Sequence, residues 1–266
     1  MQLAHYGWVR DIPDQRDLLY APPPQISAAL PPHIDLRAQF PPPYDQGALG
    51  SCTANAIAGA LQWLEGKEGS RAPVMPSRLF IYFNERVLEG STGSDSGAQI
   101  RDGIKTVVRD GFCSEAEWPY DIAAFATKPA ANCYRDALKE RVSEYLRLTP
   151  ATVPLLTCLA SGYPFVFGFS VYESFETAAI ATTGVVQLPH PSERLVGGHA
   201  VVAVGSDQPA ARSIVRNSRG SGWGLSAYSP MPCHSPARPR PPRRLPHSRN
   251  SPHHPLRPPT SPLASP

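Results

Sequence analysis

The sequence has few cysteines, no long apolar run and no basic leader at its start. None of its five cysteines belongs to a C-x-x-C pair of the kind found in zinc ribbons. The longest apolar stretches, such as "YPFVFGFSVY" at 163–172, are far shorter than a bilayer requires. Residues 1–10 lack the basic and apolar regions of a secretory signal. We therefore exclude a disulfide scaffold and a membrane-spanning protein, and the default expectation is a reducing, cytoplasmic location.

Acidic residues are absent from the last part of the chain, which carries its excess of positive charge. Residues 229–266 hold 13 of the 32 prolines, six arginines and four histidines. The rest of the chain has 19 Lys and Arg against 22 Asp and Glu. The net charge of +3 is therefore no reason to expect that the globular part binds nucleic acid.

Composition divides the chain into an N-terminal arm (1–29), a globular region (30–228) and a tail rich in Pro, Arg, His and Ser (229–266) that we expect to be disordered. Apolar spacing predicts helices from residue 52, at 76–88, at 98–109 and, more weakly, at 151–161. Short β-branched or aromatic segments at 164–172, 183–188, 198–207 and 213–218 predict strands. Helices followed by strands indicate an α+β fold with two lobes.

Cys52 lies in "GSCTANAIAGA" (50–60), after a Gly-Ser turn and at the start of an alanine-rich helix. A helix N-terminus stabilises a thiolate and so favours a nucleophile. The alternative is a small buried core residue, which is what most free cysteines are. The residue alone does not decide between the two.

A cysteine nucleophile needs a base, a group that orients the base, and donors for the oxyanion. His199 stands at the start of an apolar strand in "VGGHAVVAVGSD", behind two glycines that leave room for its ring. Asn217 ends the next strand in "SIVRNSRGSGWG". Taken singly, the histidine is more often structural, and an asparagine at that place is ordinary turn chemistry.

Taken together, "QGALGSC" (46–52), "GGHAVVAVG" (197–205) and "VRNSRGSGWG" (215–224) resemble the papain-like cysteine peptidases, in which Gln, Cys, His and Asn occur in this order. Cys52 follows Gln46 by six residues, His199 follows Cys52 by 147, and Asn217 follows His199 by 18. The segments at 30–37 and 95–121 also look like the entry to the family's mature domain and its substrate-binding strand with the following helix. The resemblance spans roughly residues 30–224.

The resemblance implies a two-lobe fold, with a helical N-terminal lobe and an antiparallel, barrel-like C-terminal lobe. It implies that Cys52 attacks the scissile carbonyl, that His199 is the general acid and base, and that Asn217 orients the imidazole. The Gln46 amide and the Cys52 N–H would form the oxyanion hole. The substrate would be a peptide or protein, with no metal, cofactor or specific nucleic acid.

The sequence departs from the family pattern near the nucleophile and beside Asn217. Thr53 replaces the aromatic residue after the nucleophile, and Leu49 replaces a cysteine, which removes a familiar disulfide. We expect Cys113, Cys133 and Cys158 to be buried or incidental thiols. Arg219 replaces the tryptophan that shields the His–Asn hydrogen bond, so we expect water to reach that bond.

The tail is the largest departure. Relatives continue after Gly-Trp-Gly with a Gly-Gly-Tyr segment and at least one further strand. Here the chain becomes rich in prolines, which cannot donate to a sheet ladder. A genuine disordered tail and a frame-shifted reading of the gene both explain this, and we prefer the second.

Three other functions stay open. The first is an inactive papain-like domain that has lost its terminal strands. The second is a Cys–His enzyme acting on another amide, as cell-wall amidases and transglutaminases do, although the Gln46 and Asn217 segments favour the peptidase. The third places a function in the basic tail as a proline-rich docking segment. Substrate specificity, activation and oligomeric state do not follow from the sequence.

Overall fold

The computed structural model describes residues 5–70, 72–233 and the backbone of Leu256–Arg257. Its helices are α1 Pro24–Ser27, α2 Cys52–Lys67, α3 Arg78–Glu89, α4 Ile100–Asp110, α5 Ala131–Ala137, α6 Thr152–Ala160 and α7 Ala178–Thr183. Its strands are β1 Trp8–Val9, β2 His33–Asp35, β3 Ala98–Gln99, β4 Glu144–Tyr145, β5 Phe165–Tyr172, β6 Leu195–Asp207, β7 Arg212–Arg216, β8 Tyr228–Pro232 and β9 Leu256–Arg257. Short 3-10 turns lie at Arg37–Gln39, Ile122–Ala124 and Glu173–Glu176.

The helical lobe is built around α2, whose first ten residues are all buried. Helices α3 and α4 pack on it, and their ends follow local rules. The Ser77 hydroxyl accepts a hydrogen bond from the Phe80 N–H at the start of α3, and Gly90 ends that helix in the left-handed conformation. All four predicted helices are present, the weaker one at 151–161 as α6. No helix among the described residues is long and apolar enough to cross a membrane.

The second lobe is an antiparallel sheet in the order β2-β6-β7-β8, with β5 also paired to β6. The 13-residue β6 runs through its centre and carries a continuous buried stretch at 199–206. The strands expected near 164–172, 198–207 and 213–218 are present, whereas residues 183–188 are not a strand. The α+β, two-lobe fold is confirmed, and among the described residues the sheet stays open.

Strand β8 corrects the boundary expected after Tyr228, because Ser229–Pro232 continue the sheet. Its prolines suit an edge strand. The Cys233 N–H donates to the Ala211 carbonyl, so alternate residues of β8 direct their backbone groups toward β7. The Pro230 carbonyl points away from β7 and accepts from the Val186 N–H. The missing N–H groups of Pro230 and Pro232 therefore lie on the edge that has no ladder to complete. The rest of the expected disordered tail, apart from Leu256–Arg257, lies outside the described residues.

An apolar cavity of about 600 Å³ lies on the open side of the sheet. Helix α6 contributes Leu155, Leu156 and Leu159 to it, and β5 contributes Phe165 and Phe167. Cys233, the last described residue before Leu256, is on its rim. The cavity therefore begins where the sheet stops.

Candidate active site

Cys52 is the first residue of α2, and its side chain is completely buried. The backbone amides of Ala200, Gly7 and Thr53 lie close to its sulfur and act to lower the pKa of the thiol. Because Ala200 follows His199 on β6, the Cys52 thiol of the helical lobe lies beside the part of β6 that carries His199, at the cleft between the two lobes. The helix N-terminus and these donors would each stabilise a thiolate.

The His199 ring is fixed by Asn217. Its Nε2 donates to the Asn217 Oδ1 over 2.8 Å, and that oxygen also accepts from the Ser218 N–H over 2.8 Å. An oxygen that accepts both bonds places the proton of the neutral ring on Nε2 and leaves Nδ1 basic. His199 Nδ1 is buried and without a hydrogen-bond partner among the described residues. The ring is therefore oriented as a proton acceptor.

Gln46 lies beside Cys52 on the loop that enters α2. Its Oε1 accepts from the Ser218 hydroxyl over 2.6 Å, which orients the amide. Its Nε2 donates to the Leu49 carbonyl and to the His5 carbonyl, over 3.0 and 3.2 Å. A side-chain N–H on the loop before Cys52 thus already binds a peptide carbonyl, and that carbonyl belongs to the N-terminal arm.

The arm occupies the cleft. Strand β1 pairs in parallel with β3, and the Ala98 N–H donates to the Gly7 carbonyl over 2.7 Å. A β-carbon at Gly97 would overlap the Gly7 carbonyl, and one at Gly198 would overlap that of Trp8. Backbone meets backbone here because both sides present glycine.

Farther along, the arm is held by charge. Arg101 pairs with Asp17 over 2.6 Å, and both side chains are almost fully buried. Arg101 also donates from its backbone to Asp11 and from its guanidinium to the Ile12 carbonyl. The arm is therefore an integral part of the folded chain, although composition marked it only as a separate region at 1–29.

Under the arm, Cys52 and His199 are both neutral. Burial raises the pKa of the Cys52 thiol to about 11, although the hydrogen bonds to its sulfur act in the opposite direction. Burial, followed by the charge of Arg219, lowers the pKa of His199 to about 3 against the effect of Asn217. At pH 7 the sulfur is a thiol and the ring is an imidazole. The closed cleft does not favour a thiolate–imidazolium pair.

The expectation that Arg219 admits water is wrong. His199 and Asn217 are 1% and 3% exposed. The Arg219 guanidinium donates to the Tyr6 hydroxyl, pairs with Glu176 over 3.0 Å, and lies over the rings of Phe175 and Trp223. An ion pair set among aromatic rings covers the hydrogen bond in place of a tryptophan.

Several residues of the site gave no signal in the sequence. Tyr6 packs edge-on against His199, with ring centroids 5.6 Å apart, and Phe169 does so from β5 at 5.8 Å. Asp95 accepts from the Gly50 N–H and pairs with His5. These contacts join segments far apart in the chain. Phe169 stood in a predicted strand and Asp95 at the start of the segment that resembles the family's substrate-binding strand, but neither residue was singled out.

The other departures are accommodated within the helical lobe. The Thr53 hydroxyl donates to the buried Glu85 over 2.6 Å, and Leu49 is buried in the core. Burial raises the pKa of the Glu85 carboxyl well above its ordinary value, which keeps it protonated. Cys113, Cys133 and Cys158 are free and buried, as expected.

Comparisons with known proteins agree with this geometry. The model of the papain family cysteine proteases matches residues 30–235. The chain is 42% identical over 252 residues to an uncharacterized peptidase C1-like protein of Acanthamoeba polyphaga mimivirus, covering 86% of this chain and 81% of the relative. It is 27% identical over 213 residues to cathepsin J of Mus musculus, covering 76% of this chain and 60% of that one.

Solved structures extend the similarity to the arm. The structure of xylellain, a cysteine protease from Xylella fastidiosa, superimposes with a TM-score of 0.86 at 39% identity and covers 97% of both chains. A procathepsin B from Trypanosoma congolense, at 19% identity and a TM-score of 0.69, shares the fold. The match of the family model over most of the chain, together with relatives of this identity and coverage, shows that the chain belongs to the papain family of cysteine proteases.

Proposed function

We propose that this chain hydrolyses peptide bonds through a thioester formed on Cys52. His199 would take up the Cys52 proton at Nδ1, deliver it to the departing amine, and then activate water to hydrolyse the thioester. Asn217 would hold the imidazole in the tautomer that this exchange requires. The observation that supports these roles best is the buried, unpartnered Nδ1 of a ring whose other nitrogen donates to Asn217.

The Gln46 amide and the Cys52 N–H would bind the oxyanion. The hydrogen bond from Gln46 Nε2 to the His5 carbonyl supports this role, because it demonstrates that a peptide carbonyl fits there. A donor of this kind contributes about 3 kcal/mol to lowering the barrier of acyl transfer. The bond from Ser218 keeps the amide nitrogen directed into the cleft.

The arm would have to leave before a substrate could bind. Its backbone pairs with Ala98 and its His5 carbonyl takes the Gln46 donor, so the arm and a substrate would compete for the same groups. We therefore propose that the full chain is held in a self-inhibited form. Hydration of Cys52 and His199 on opening would move their pKa values back toward the ordinary range and favour the ion pair.

Hydrolysis of fluorogenic peptides under reducing conditions tests the proposal. We expect Cys52→Ser to abolish turnover and Cys233→Ser, a substitution at the half-buried end of the described sheet, to leave it unchanged. Turnover that survives in Cys52→Ser would contradict the assignment. Transfer of the acyl group to an added amine in preference to water would indicate a transglutaminase-type enzyme instead.

A further inference from the structure

We propose that Cys113 and Cys133 form a reversible disulfide that fixes the segment between them, 114–132, against the active site. In the form described here both are free thiols, 2% and 0% exposed. Their sulfur atoms and a carboxylate oxygen of Glu117 all lie within 4.8 Å of one another. The two thiols are close enough to share a hydrogen bond.

The surroundings of the pair favour a disulfide over a metal ion. The sulfurs lie in an apolar cluster with Phe80 and Ala137, and Trp118 and Tyr134 pack against it. A metal would need thiolates, and burial raises the pKa of Cys113 far above its ordinary value. Glu117 is exposed and would be the only other protein ligand in this group. A disulfide carries no charge and suits the apolar cluster.

The two sulfurs, within 4.8 Å of each other, have to move closer to form the bond. Cys113 lies in the loop after α4, and Cys133 is in the seven-residue helix α5. A disulfide requires the sulfurs to approach to about 2.05 Å. The other three cysteines have different neighbours: the Gly7 backbone lies close to the Cys52 sulfur, Cys158 donates to the Tyr163 carbonyl, and Cys233 contacts Ser213.

The segment that the bond would close supports the oxyanion side of the cleft. Within it, the Tyr120 hydroxyl lies 2.5 Å from that of Ser51 and donates to the Gln46 carbonyl over 2.9 Å. Glu115 pairs with the nearly buried Arg78 over 2.7 Å. A bond between residues 113 and 133 would restrict the segment that holds Tyr120 against Ser51 and Gln46.

The oxidant that would form this bond is a small-molecule disulfide such as oxidised glutathione. When local opening exposes the pair to water, one cysteine loses its proton to the buffer, and its thiolate attacks the oxidant and releases one glutathione, leaving a mixed disulfide on the protein. The second thiolate attacks the protein sulfur of that mixed disulfide and releases the second glutathione. Two cysteine thiols lose two protons and two electrons, and one glutathione disulfide is reduced to two thiols.

The test uses the full chain with Cys52→Ser, which removes the candidate nucleophile as a competing thiol. After equilibration with oxidised glutathione, we expect an intact mass lower by about 2 Da and a peptide that joins Cys113 to Cys133 under non-reducing conditions. The Tm should rise by roughly 6–12 °C, as for a ring of about 20 residues, and fall again with dithiothreitol. Amide exchange in residues 114–132 should slow.

Two controls make the result specific. Adding Cys113→Ser should remove both the mass change and the rise in Tm, whereas adding Cys233→Ser should remove neither. The proposal is overturned if Cys113 and Cys133 remain open to alkylation after unfolding while Cys233 alone gains glutathione. It is also overturned if native mass spectrometry finds a zinc ion on this pair that prevents oxidation. The mass measurement itself needs no substitution at Cys113 or Cys133, so poor folding of the Cys113→Ser variant cannot obscure it.

Discussion

At Cys52, burial by the arm outweighs the groups that stabilise a thiolate. Three nearby backbone amides lower the pKa of the thiol and a helix N-terminus favours its thiolate, yet burial raises the pKa to about 11. His199, whose pKa lies at about 3, cannot supply a positive charge at neutral pH. The chemistry that the sequence motif predicts therefore depends on whether the cleft is open.

This dependence predicts the pH profile of Cys52 alkylation. With the pKa near 11, only about one thiol in 10⁴ is ionised at pH 7, so iodoacetamide should label Cys52 slowly in the full chain until the solution is strongly alkaline. Displacing the arm should lower the pKa, raise the rate and extend labelling to mildly acidic pH. The rate is measured by peptide mass spectrometry with Cys233 as the internal reference. Rapid labelling of Cys52 at pH 5–6 in the unaltered chain would contradict the account.

Arg219 and Glu176 give a second prediction at the residue scale. Their side chains are 14% and 11% exposed, so removing one partner leaves a largely buried charge, at a cost of about 3–5 kcal/mol. We expect Arg219→Gln and Glu176→Gln each to lower the Tm clearly, and the double variant to lower it less than the sum of the two. Thermal unfolding measures all three.

A matched control is the exposed pair Arg194–Glu173, whose side chains are 73% and 49% exposed at 2.8 Å. The corresponding substitutions there should change stability by less than about 1 kcal/mol. Additive effects at Arg219 and Glu176 would mean that the two charges are not coupled. Arg219→Trp, which the sequence alone would favour as an improvement, should break the same pair and bring no gain.

At the scale of elements, the arm makes the largest difference between the predicted and the observed molecule. Trp8 lies against Gly168 on β5 and Gly198 on β6, and Tyr6 lies against His199. We expect the double variant Tyr6→Ala/Trp8→Ala to raise kcat/KM for peptides by roughly 30-fold, since losing about 2 kcal/mol of apolar contact raises the open fraction by that factor. Initial rates at low substrate concentration measure it.

The control is Ile12→Ala, also in the arm, whose side chain is 71% exposed. It should leave kcat/KM unchanged. Equal activity of the double variant and the unaltered chain, with the arm demonstrably displaced by amide exchange, would mean that the arm does not limit access of substrate. The competition argument would then fail, while the roles of Cys52 and His199 would still stand.

The elements that periodicity predicted correctly are those whose packing is repeated along their length. Helix α4 buries Ile100, Ile104 and Val107 on one face, so local spacing was sufficient. The strand predicted at 183–188 was wrong. Gly184 ends α7 in the left-handed conformation, and Val186 makes a backbone hydrogen bond to Pro230 without forming a ladder. The sequence allowed the arm at 6–20 to pack on the domain, but its position in the cleft was not predictable because it depends on glycines of distant segments.

At the scale of the whole molecule, the run of helices followed by strands, together with the family resemblance that the segments around Gln46, Cys52, His199 and Asn217 carry, was enough to predict the two-lobe fold. These features were not enough to predict where the sheet ends. From the sequence alone, prolines are expected to be incompatible with a strand. In β8, however, they alternate with Ser229 and Met231, whose backbone N–H groups face β7. Whether a proline fits in a strand depends on whether its nitrogen faces a neighbouring strand or the free edge of the sheet.

The position of β8 leads to a prediction about how much of the chain the fold needs. The Asn217 N–H donates to the Ala227 carbonyl over 2.8 Å, so the residue that leads into β8 also holds the residue that orients His199. A chain ending at residue 235 should keep a single cooperative thermal transition. A chain ending at residue 225 should lose this transition, because without β8 the edge of β7 is exposed. The apolar burial that is lost, at about 25 cal/mol per Å², is also large compared with a net stability of roughly 5–15 kcal/mol. Calorimetry of the two chains measures this. A chain ending at 235 that fails to melt cooperatively would show that residues beyond it stabilise the open side of the sheet, where the cavity beside Cys233 lies.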